Sequence, residues 1–460
     1  MYEPSAKSQG GSLSPNPRRV ALGVLRASAE GARPEDVLGR LGVMLSRRDM
    51  ALASAIVYAC LRHQSRLDFL IDGKLSSGSK TPKAVRILLR MGLSQILFMD
   101  RVGHHAAVNE TTALGKSFTP GREGLINAVL RAFVRDKESD AFWPRERDGE
   151  DTPELVRLAT FYSHPEWLVN KLASEWGVRE TRAFLAAGNQ PAPPTIRLNP
   201  AGGTREEFAE RLRFPTRPTV WSPAGLKPEI VAAGRPDTWP GFREGHFSIQ
   251  DEASQLTALL AGPPAGPGPR RFLDCCAGVG GKSFAVLGAF PEARAAAMDN
   301  SRLRLEDLYA EARRLGVFDR VKILQGDILE ATLEPSWDLV IADAPCTGLG
   351  VIRRRPDIKW KRVPEDVAKL ARFQKSILDA AAMAVRPGGR LIYSVCTVTR
   401  EEGPEVADAF SASRPDFHPA EDLPPELEPL KIGPGRFRTV THRHDMDGFF
   451  YAVFEREGER

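Results

Sequence analysis

The chain changes rhythm once, near residue 245, and that change limits its architecture more than any other feature. Beyond it, short apolar runs recur at Phe272–Cys275, Ala295–Met298, Val321–Leu324, Leu339–Ala342, Leu391–Ser394 and Gly448–Phe454. Helical stretches separate the first five, notably Arg302–Leu315 and Glu365–Val385, and Arg386-Pro-Gly-Gly389 reads as a turn. Strand–helix alternation builds a mostly parallel, doubly wound sheet that receives ligands at its carboxyl edge. A Rossmann-like α/β domain is therefore expected over residues 246–457.

Before the change the pattern is helical. Val20, Val24 and Leu25 share a face, as do Ile56, Val57, Cys60 and Leu61. Leu67, Leu70 and Ile71 follow, then Val85, Leu88, Leu89 and Ile96, then Leu125, Val129, Leu130 and Phe133. These i, i+3, i+4 stripes predict an all-α bundle over residues 17–140, without strands. The polar Ser/Gly/Pro-rich residues 1–16 read as a disordered tail. The charged residues 141–154, with two prolines, read as a linker. Between linker and sheet domain, a helical stretch at Trp167–Trp176, a proline-rich turn and a short strand at Thr195–Leu198 predict a small α/β subdomain over 155–245.

Composition narrows the function. A chain of 460 residues with 27% charged and 42% hydrophobic residues is a multidomain soluble globular type. No apolar run approaches the ~20 residues that span a bilayer, and no secretion signal opens the chain. Five cysteines without regular spacing are expected as reduced thiols in the cytoplasm, and no zinc-type spacing calls for a metal. Residues 1–140 carry 21 Lys and Arg against 13 Asp and Glu, a net +8, whereas the remainder sums to −3. A basic first third on a nearly neutral body suits a polyanion-gripping module; a solvated basic surface is the plainer alternative.

The turn after the first strand, Phe272 to Ser283, admits three ligand classes. A nicotinamide fingerprint fits Gly278 and Gly280, but Ser283 stands at the third glycine. A phosphate loop fits Gly281-Lys282-Ser283, but Cys276 stands at the first glycine. S-adenosylmethionine asks for a looser glycine turn plus carboxylates at later strand ends. Asp299 ends the second strand, where ribose hydroxyls are accepted, and Asp327 follows the third, placed for the adenine amino group. Helix capping is the plain alternative for each.

Two cysteines share the carboxyl edge: Cys346 in Asp343-Ala-Pro-Cys346 and Cys396 in Tyr393-Ser-Val-Cys396. Either alone serves equally as a small packing residue. As a pair beside a methyl donor, they suit methylation at carbon 5 of cytosine. That carbon is not nucleophilic until a thiolate adds at carbon 6, and the addition divides one hard step into two easier ones. Asp343 is placed to hold the ring edge and stabilise charge as the adduct forms. Between the cysteines, the basic run Arg353–Arg362 around Trp360 suits phosphate contact and base stacking on single-stranded nucleic acid; an ordinary basic loop is the alternative.

These residues together resemble the RsmB/Nop2-type RNA cytosine-5 methyltransferases, and the resemblance covers nearly the whole chain. Gln250-Asp-Glu-Ala-Ser-Gln-Leu256, the glycine turn, Asp343-Ala-Pro-Cys346, Arg353–Trp360, Tyr393-Ser-Val-Cys396 with Glu401-Glu402, and Asp447-Gly-Phe-Phe450 follow in the family's order. Leu89-Arg-Met-Gly-Leu-Ser-Gln95, Ala106-Ala-Val-Asn-Glu110 and Ile126-Asn-Ala-Val-Leu130 resemble a NusB-type RNA-binding domain, absent from shorter members. The resemblance implies Cys396 as nucleophile, Cys346 as helper of product release, and cofactor contacts from Cys276, Ala277, Gly278, Val279, Gly280, Gly281, Lys282, Asp299, Asp327 and Asp343. It implies S-adenosyl-L-methionine as cofactor and small-subunit ribosomal RNA as substrate, for a cytoplasmic monomer that binds neither DNA nor membrane. The alternatives are a transfer-RNA cytosine-5 methyltransferase and a non-catalytic NusB-type RNA-binding protein. The chain departs from the family where Gly278-Val279 replaces Ala-Pro, where Thr347 and Thr397 replace serine, and at Gly403-Pro404.

Overall fold

The first helix begins where an asparagine meets a proline. In the computed structural model the Asn16 side chain accepts from the Arg18 and Arg19 N–H groups. Pro17, with no N–H to leave unpaired, opens α1 (Pro17–Ser28). The structure describes residues 16–75, 81–138, 152–229, 235–262 and 267–458. The expected tail up to Pro15 and the expected linker before Thr152 lie outside the described residues.

Six more helices follow: α2 (Pro34–Leu41), α3 (Arg47–Arg62), α4 (Gln64–Asp72), α5 (Lys83–Phe98), α6 (His104–Phe118) and α7 (Glu123–Glu138). Their stripes bury one core in which Val24, Ile56, Leu67, Leu88, Leu89, Leu130 and Phe133 meet. Each such side chain contributes about 1.5–3 kcal/mol by leaving water. α5 is buried along most of its length and forms the centre. Gly92 permits this, because a side chain there would lie 2.4 Å from Leu130. No strand interrupts the described part of this region.

Three further helices, α8 (Glu154–Phe161), α9 (Glu166–Trp176) and α10 (Val178–Gly188), follow, and the first compact unit runs to Leu185. Ser163 accepts from the Ser65 N–H at 2.8 Å, and Arg66 lies 4.4 Å from the Phe161 ring centroid. Within this unit α8 packs on α4 and on α9.

The second unit begins at Ala186. Its smaller sheet joins β1 (Ile196–Leu198), β2 (Thr216–Pro218), β3 (Gly225–Pro228) and β4 (Phe247–Ile249) in the antiparallel order β2-β3-β1-β4. Helix α11 (Arg205–Arg211) covers it, with Phe208 packed on Ile196, Leu226 and Phe247. Only β1 is legible in the sequence; strands of three or four residues show no period.

After α12 (Glu252–Leu260) comes the large sheet, built from β5 (Arg271–Asp274), β6 (Arg294–Asp299), β7 (Val321–Gln325), β8 (Trp337–Asp343) and β9 (Val385–Val395). Between them lie α13 (Gly281–Ala289), α14 (Arg302–Arg314), the short α15 (Ile358–Lys361) and α16 (Pro364–Ala384). Beyond α17 (Pro404–Ser413) come β10 (Phe417–Pro419), β11 (Lys431–Gly433) and β12 (Arg436–Arg438), then α18 (Thr441–His444) and β13 (Phe450–Arg456). The order is β11-β12-β13-β9-β8-β5-β6-β7, with β10 on β13. β5 to β9 pair in parallel, and the later strands add antiparallel. The expected turn Arg386–Gly389 is instead an irregularity inside β9, with Gly388 at φ 69° and the register shifting opposite Trp337. Strand order reverses between β5 and β8, so a crevice opens at their carboxyl ends. Asp299 and Asp343 end their strands, and the other predicted site residues follow strand ends within a few residues.

Candidate active site

Between β5 and α13 the chain must turn within a few residues. Gly278 (φ 56°) and Gly280 (φ 85°) adopt left-handed backbone, and a side chain at 280 would strike the Phe284 ring at 2.5 Å. At Gly278 nothing lies within 4 Å of a Cβ position, so the outer side of the turn is open to a ligand. The Ala277 N–H binds the Met298 carbonyl at 2.8 Å, fastening the turn to β6. Cys276 is half-buried and Val279 stands exposed at the rim.

Asp299 is joined to the turn directly. One of its oxygens accepts from the Gly278 N–H at 2.9 Å, the other from the Ser301 N–H at 2.8 Å ahead of α14. Capping and ligand binding are therefore compatible roles, since each carboxylate oxygen retains a lone pair. Asp327 accepts from the Leu329 N–H at 3.0 Å inside its own turn. Among the described residues no hydrogen bond ties the Asp327 side chain to the rest, although the Gly326 N–H reaches the Asp299 carbonyl at 3.2 Å.

Lys282 projects from the first turn of α13 to Asp343 at the end of β8, 2.6 Å away. Burial opposes its charge, but Asp343, Tyr451 and Cys396 together outweigh that penalty, and the ammonium titrates above its ordinary value. The Ser394 hydroxyl donates to the other Asp343 oxygen at 2.7 Å, from β9. Asp274 adds a carboxyl that sequence reasoning did not single out. Burial raises it to about 6. Ser283 donates to one oxygen at 2.6 Å, and the other, also buried, lacks a well-formed hydrogen bond. The signal available was its place as the last residue of an apolar strand before a glycine turn. Four carboxylates, Asp274, Asp299, Asp327 and Asp343, around open backbone suit a ligand that brings cationic and hydroxyl donors.

On the far side of Asp343 the two cysteines converge. Their sulfurs lie 3.2 Å apart, Cys346 after β8 and Cys396 after β9. The hydrogen bond to Cys396, then burial, then the charges of Glu402 and Asp343 hold the Cys346 thiol well above its usual range. The Gly350 N–H holds the Cys396 carbonyl at 3.1 Å, and Arg362 donates to the Thr347 and Cys346 carbonyls at 2.9 and 3.2 Å. Cys60 is buried in the helical core and pushed up to about 12 by burial, and Cys275 is buried beneath the glycine turn, as packing thiols are.

The basic run Arg353–Arg362 is not the exposed surface that the sequence predicts. Arg353 pairs with Asp445 at 2.7 Å, and Arg354 with Asp251 and Asp447. Arg355 pairs with Asp357 at 3.4 Å. Residues Lys359–Lys361 cluster with the first unit, where buried Lys359 donates to the Arg62 carbonyl at 2.9 Å and the Trp360 indole to the Leu61 carbonyl at 2.6 Å. Apart from Asp357, the partners of Arg353, Arg354, Lys359 and Trp360 lie about ninety residues or more away along the chain, so a local charge count cannot see them.

Comparison with known proteins bears on this geometry. Residues 267–455 match the model of the 16S rRNA methyltransferase RsmB/F family, residues 15–135 that of the NusB family, and residues 164–228 that of an RsmF/B-like ferredoxin-like domain. The ribosomal RNA small subunit methyltransferase B of Vibrio cholerae is 34% identical over 421 residues, 89% of this chain and 90% of that one. The chain belongs to the RsmB/F family of 16S rRNA methyltransferases. The Salmonella typhi relative of the same name is also 34% identical, over 92% of this chain and 94% of its own. The fold is shared with the crystal structure of PH0851, at TM-score 0.77 and 24% identity over 97% of this chain and 100% of that one. It is shared more partially with NSun6 from Pyrococcus horikoshii with SFG, at TM-score 0.55 and 20% identity over 64% of this chain and 99% of that one. For an RsmB/F chain, the departure at Gly278-Val279 leaves the turn anchored to β6 and to Asp299. Thr347 and Thr397 keep the hydroxyls that serine would supply. Among the described residues no helix is long and apolar enough to cross a membrane.

Proposed function

We propose that this chain methylates carbon 5 of a cytosine in small-subunit ribosomal RNA, with Cys396 bonded to carbon 6 during the reaction. The observation that carries the reading is the cysteine pair, 3.2 Å apart, beside an Asp343 held by Lys282 and Ser394. S-adenosylmethionine, as methyl donor, supplies a methyl group on a sulfonium. The residues present fit it: the backbone at Cys276–Gly281 would line its approach, Asp299 and Asp327 would take its ribose and adenine, and Asp274 would offer a buried oxygen to its ammonium.

In this reading the Cys396 thiolate adds to carbon 6, and the ring electrons move to carbon 5, which takes the methyl group. Asp343 accepts from the exocyclic amine and fixes the ring against the sulfur. Carbon 5 then holds both a proton and a methyl. After its own proton has passed to solvent, the Cys346 thiolate takes the carbon 5 proton, the freed electron pair restores the carbon–carbon double bond, and the Cys396 thiolate leaves. Once Cys396 is bonded to carbon, the leading cause that raises Cys346 is removed, while burial and the charges of Glu402 and Asp343 still act on it. The NusB-like region and its net +8 over residues 1–140 support a grip on RNA phosphates.

The test is methylation of small-subunit RNA, naked and in partial particles, read by bisulfite sequencing. A single protected cytosine that requires both cofactor and Cys396 is the expected result. Protection of transfer RNA alone, or undiminished protection with Cys396→Ala, would sink the reading.

A further inference from the structure

Cys346 and Cys396 stand on separate loops, and strand pairing carries them together only as far as Asp343 opposite Ser394. Behind the sulfurs lies a carboxylate that completes the job. Glu402 is entirely buried. One oxygen accepts from the Thr347 N–H at 2.7 Å and from the Gln374 amide at 3.1 Å. The other accepts from the hydroxyls of Thr347, Thr399 and Thr397 at 2.6, 2.9 and 3.1 Å.

Thr347 and Thr397 each follow a cysteine directly, and their hydroxyls touch at 2.9 Å. Gln374 also donates to the Pro345 carbonyl at 2.9 Å and accepts from Tyr393 at 3.2 Å. The Tyr393 hydroxyl closes the circle on the Glu402 carbonyl at 2.5 Å. A buried carboxylate is tolerated only with its donors in place, so these donors cannot drift apart without exposing an unpaired charge to an apolar interior.

We propose that Glu402 is the positioning residue of the reaction, setting the distance between the two thiols by gathering both cysteine loops onto one buried carboxylate. It touches neither cofactor nor base; it acts through Thr347 and Thr397. This rests on the reading of Cys396 as nucleophile and Cys346 as its helper. Misplacement of a reacting group by about 1 Å costs about 100-fold in rate.

The experiment compares full-length Glu402→Gln, Thr347→Val, Thr347→Ser and Cys396→Ala in one assay. It measures kcat and RNA KM by methyl transfer, cofactor Kd by calorimetry, and folding by thermal melting. Glu402→Gln and Thr347→Val should lose about 100-fold in kcat with RNA KM and cofactor Kd unchanged. Thr347→Ser, which keeps the hydroxyl, should turn over at the parental rate. Parental kcat in Thr347→Val, a matching loss of cofactor affinity, or a serine variant as impaired as the valine one would overturn the proposal. If Glu402→Gln fails to melt cooperatively, the two Thr347 variants decide alone. Methylation surviving in Cys396→Ala would mean that the covalent reading itself has failed, whereas an inactive Cys396→Ala beside a fully active Thr347→Val removes only the role of Glu402.

Discussion

Replacing Cys346 with alanine should trap RNA on the protein. The Cys346 sulfur lies 3.2 Å from that of Cys396, close enough to meet the carbon 5 proton of a base bonded there. Base assistance of this kind is worth about 100- to 10,000-fold, or about 3–5 kcal/mol of barrier. At a typical turnover of about 10 per second, an adduct that loses this help survives between about 10 s and about 17 min. Quenching into denaturant within seconds should therefore leave a protein–RNA band on a denaturing gel, dependent on S-adenosylmethionine. Cys396→Ala should give no band, and the double variant should lose it. A band in Cys396→Ala but not in Cys346→Ala would reverse the roles. Two active variants without a band would refute the covalent route.

Three further outcomes are expected. Asp299→Ala should weaken cofactor binding by about 2–4 kcal/mol, since it removes charge-assisted bonds to the ligand and the anchor of the Gly278 N–H; unchanged calorimetry would take Asp299 out of the site. Burial raises Asp274 to about 6, and the ionised form is the one that accepts an ammonium, so cofactor Kd should rise about tenfold per pH unit below that value. The linked sign for the ligand-free protein is opposite: a carboxyl raised from about 3.9 binds its proton more tightly folded than unfolded, so its stabilising effect fades as pH rises from about 4 to about 6. A Kd flat across that window, or unaltered in profile by Asp274→Asn, would dissociate this group from the cofactor. Replacing the exposed Arg33, Arg40, Arg47 and Arg48 with alanine should flatten the salt dependence of RNA affinity by about 0.7 for each phosphate no longer neutralised; an unaltered slope would assign these arginines to another purpose.

Wherever a signal is local and periodic, the sequence determined the outcome. The stripes of α3, α5 and α7 demand a helical core, because 3.6-residue spacing leaves one face apolar. The runs of β5 to β9 demand a parallel sheet, because such strands are buried on both faces and need helical crossovers. The glycine turn, Asp343 and both cysteines could be placed at strand ends for the same reason. Nothing local could show which charges neutralise one another. Arg354 reads as a free cation in the sequence, and only the tertiary fold brings Asp251 and Asp447 to it from opposite directions along the chain. Asp274 owes its raised titration to burial, and Glu402 owes its five donors to three separate segments, neither of which any spacing rule encodes. Covalent neighbours and hydrophobic period are written along the chain. Desolvation and the meeting of distant polar groups exist only once it has folded, and they decide where the two sulfurs stand.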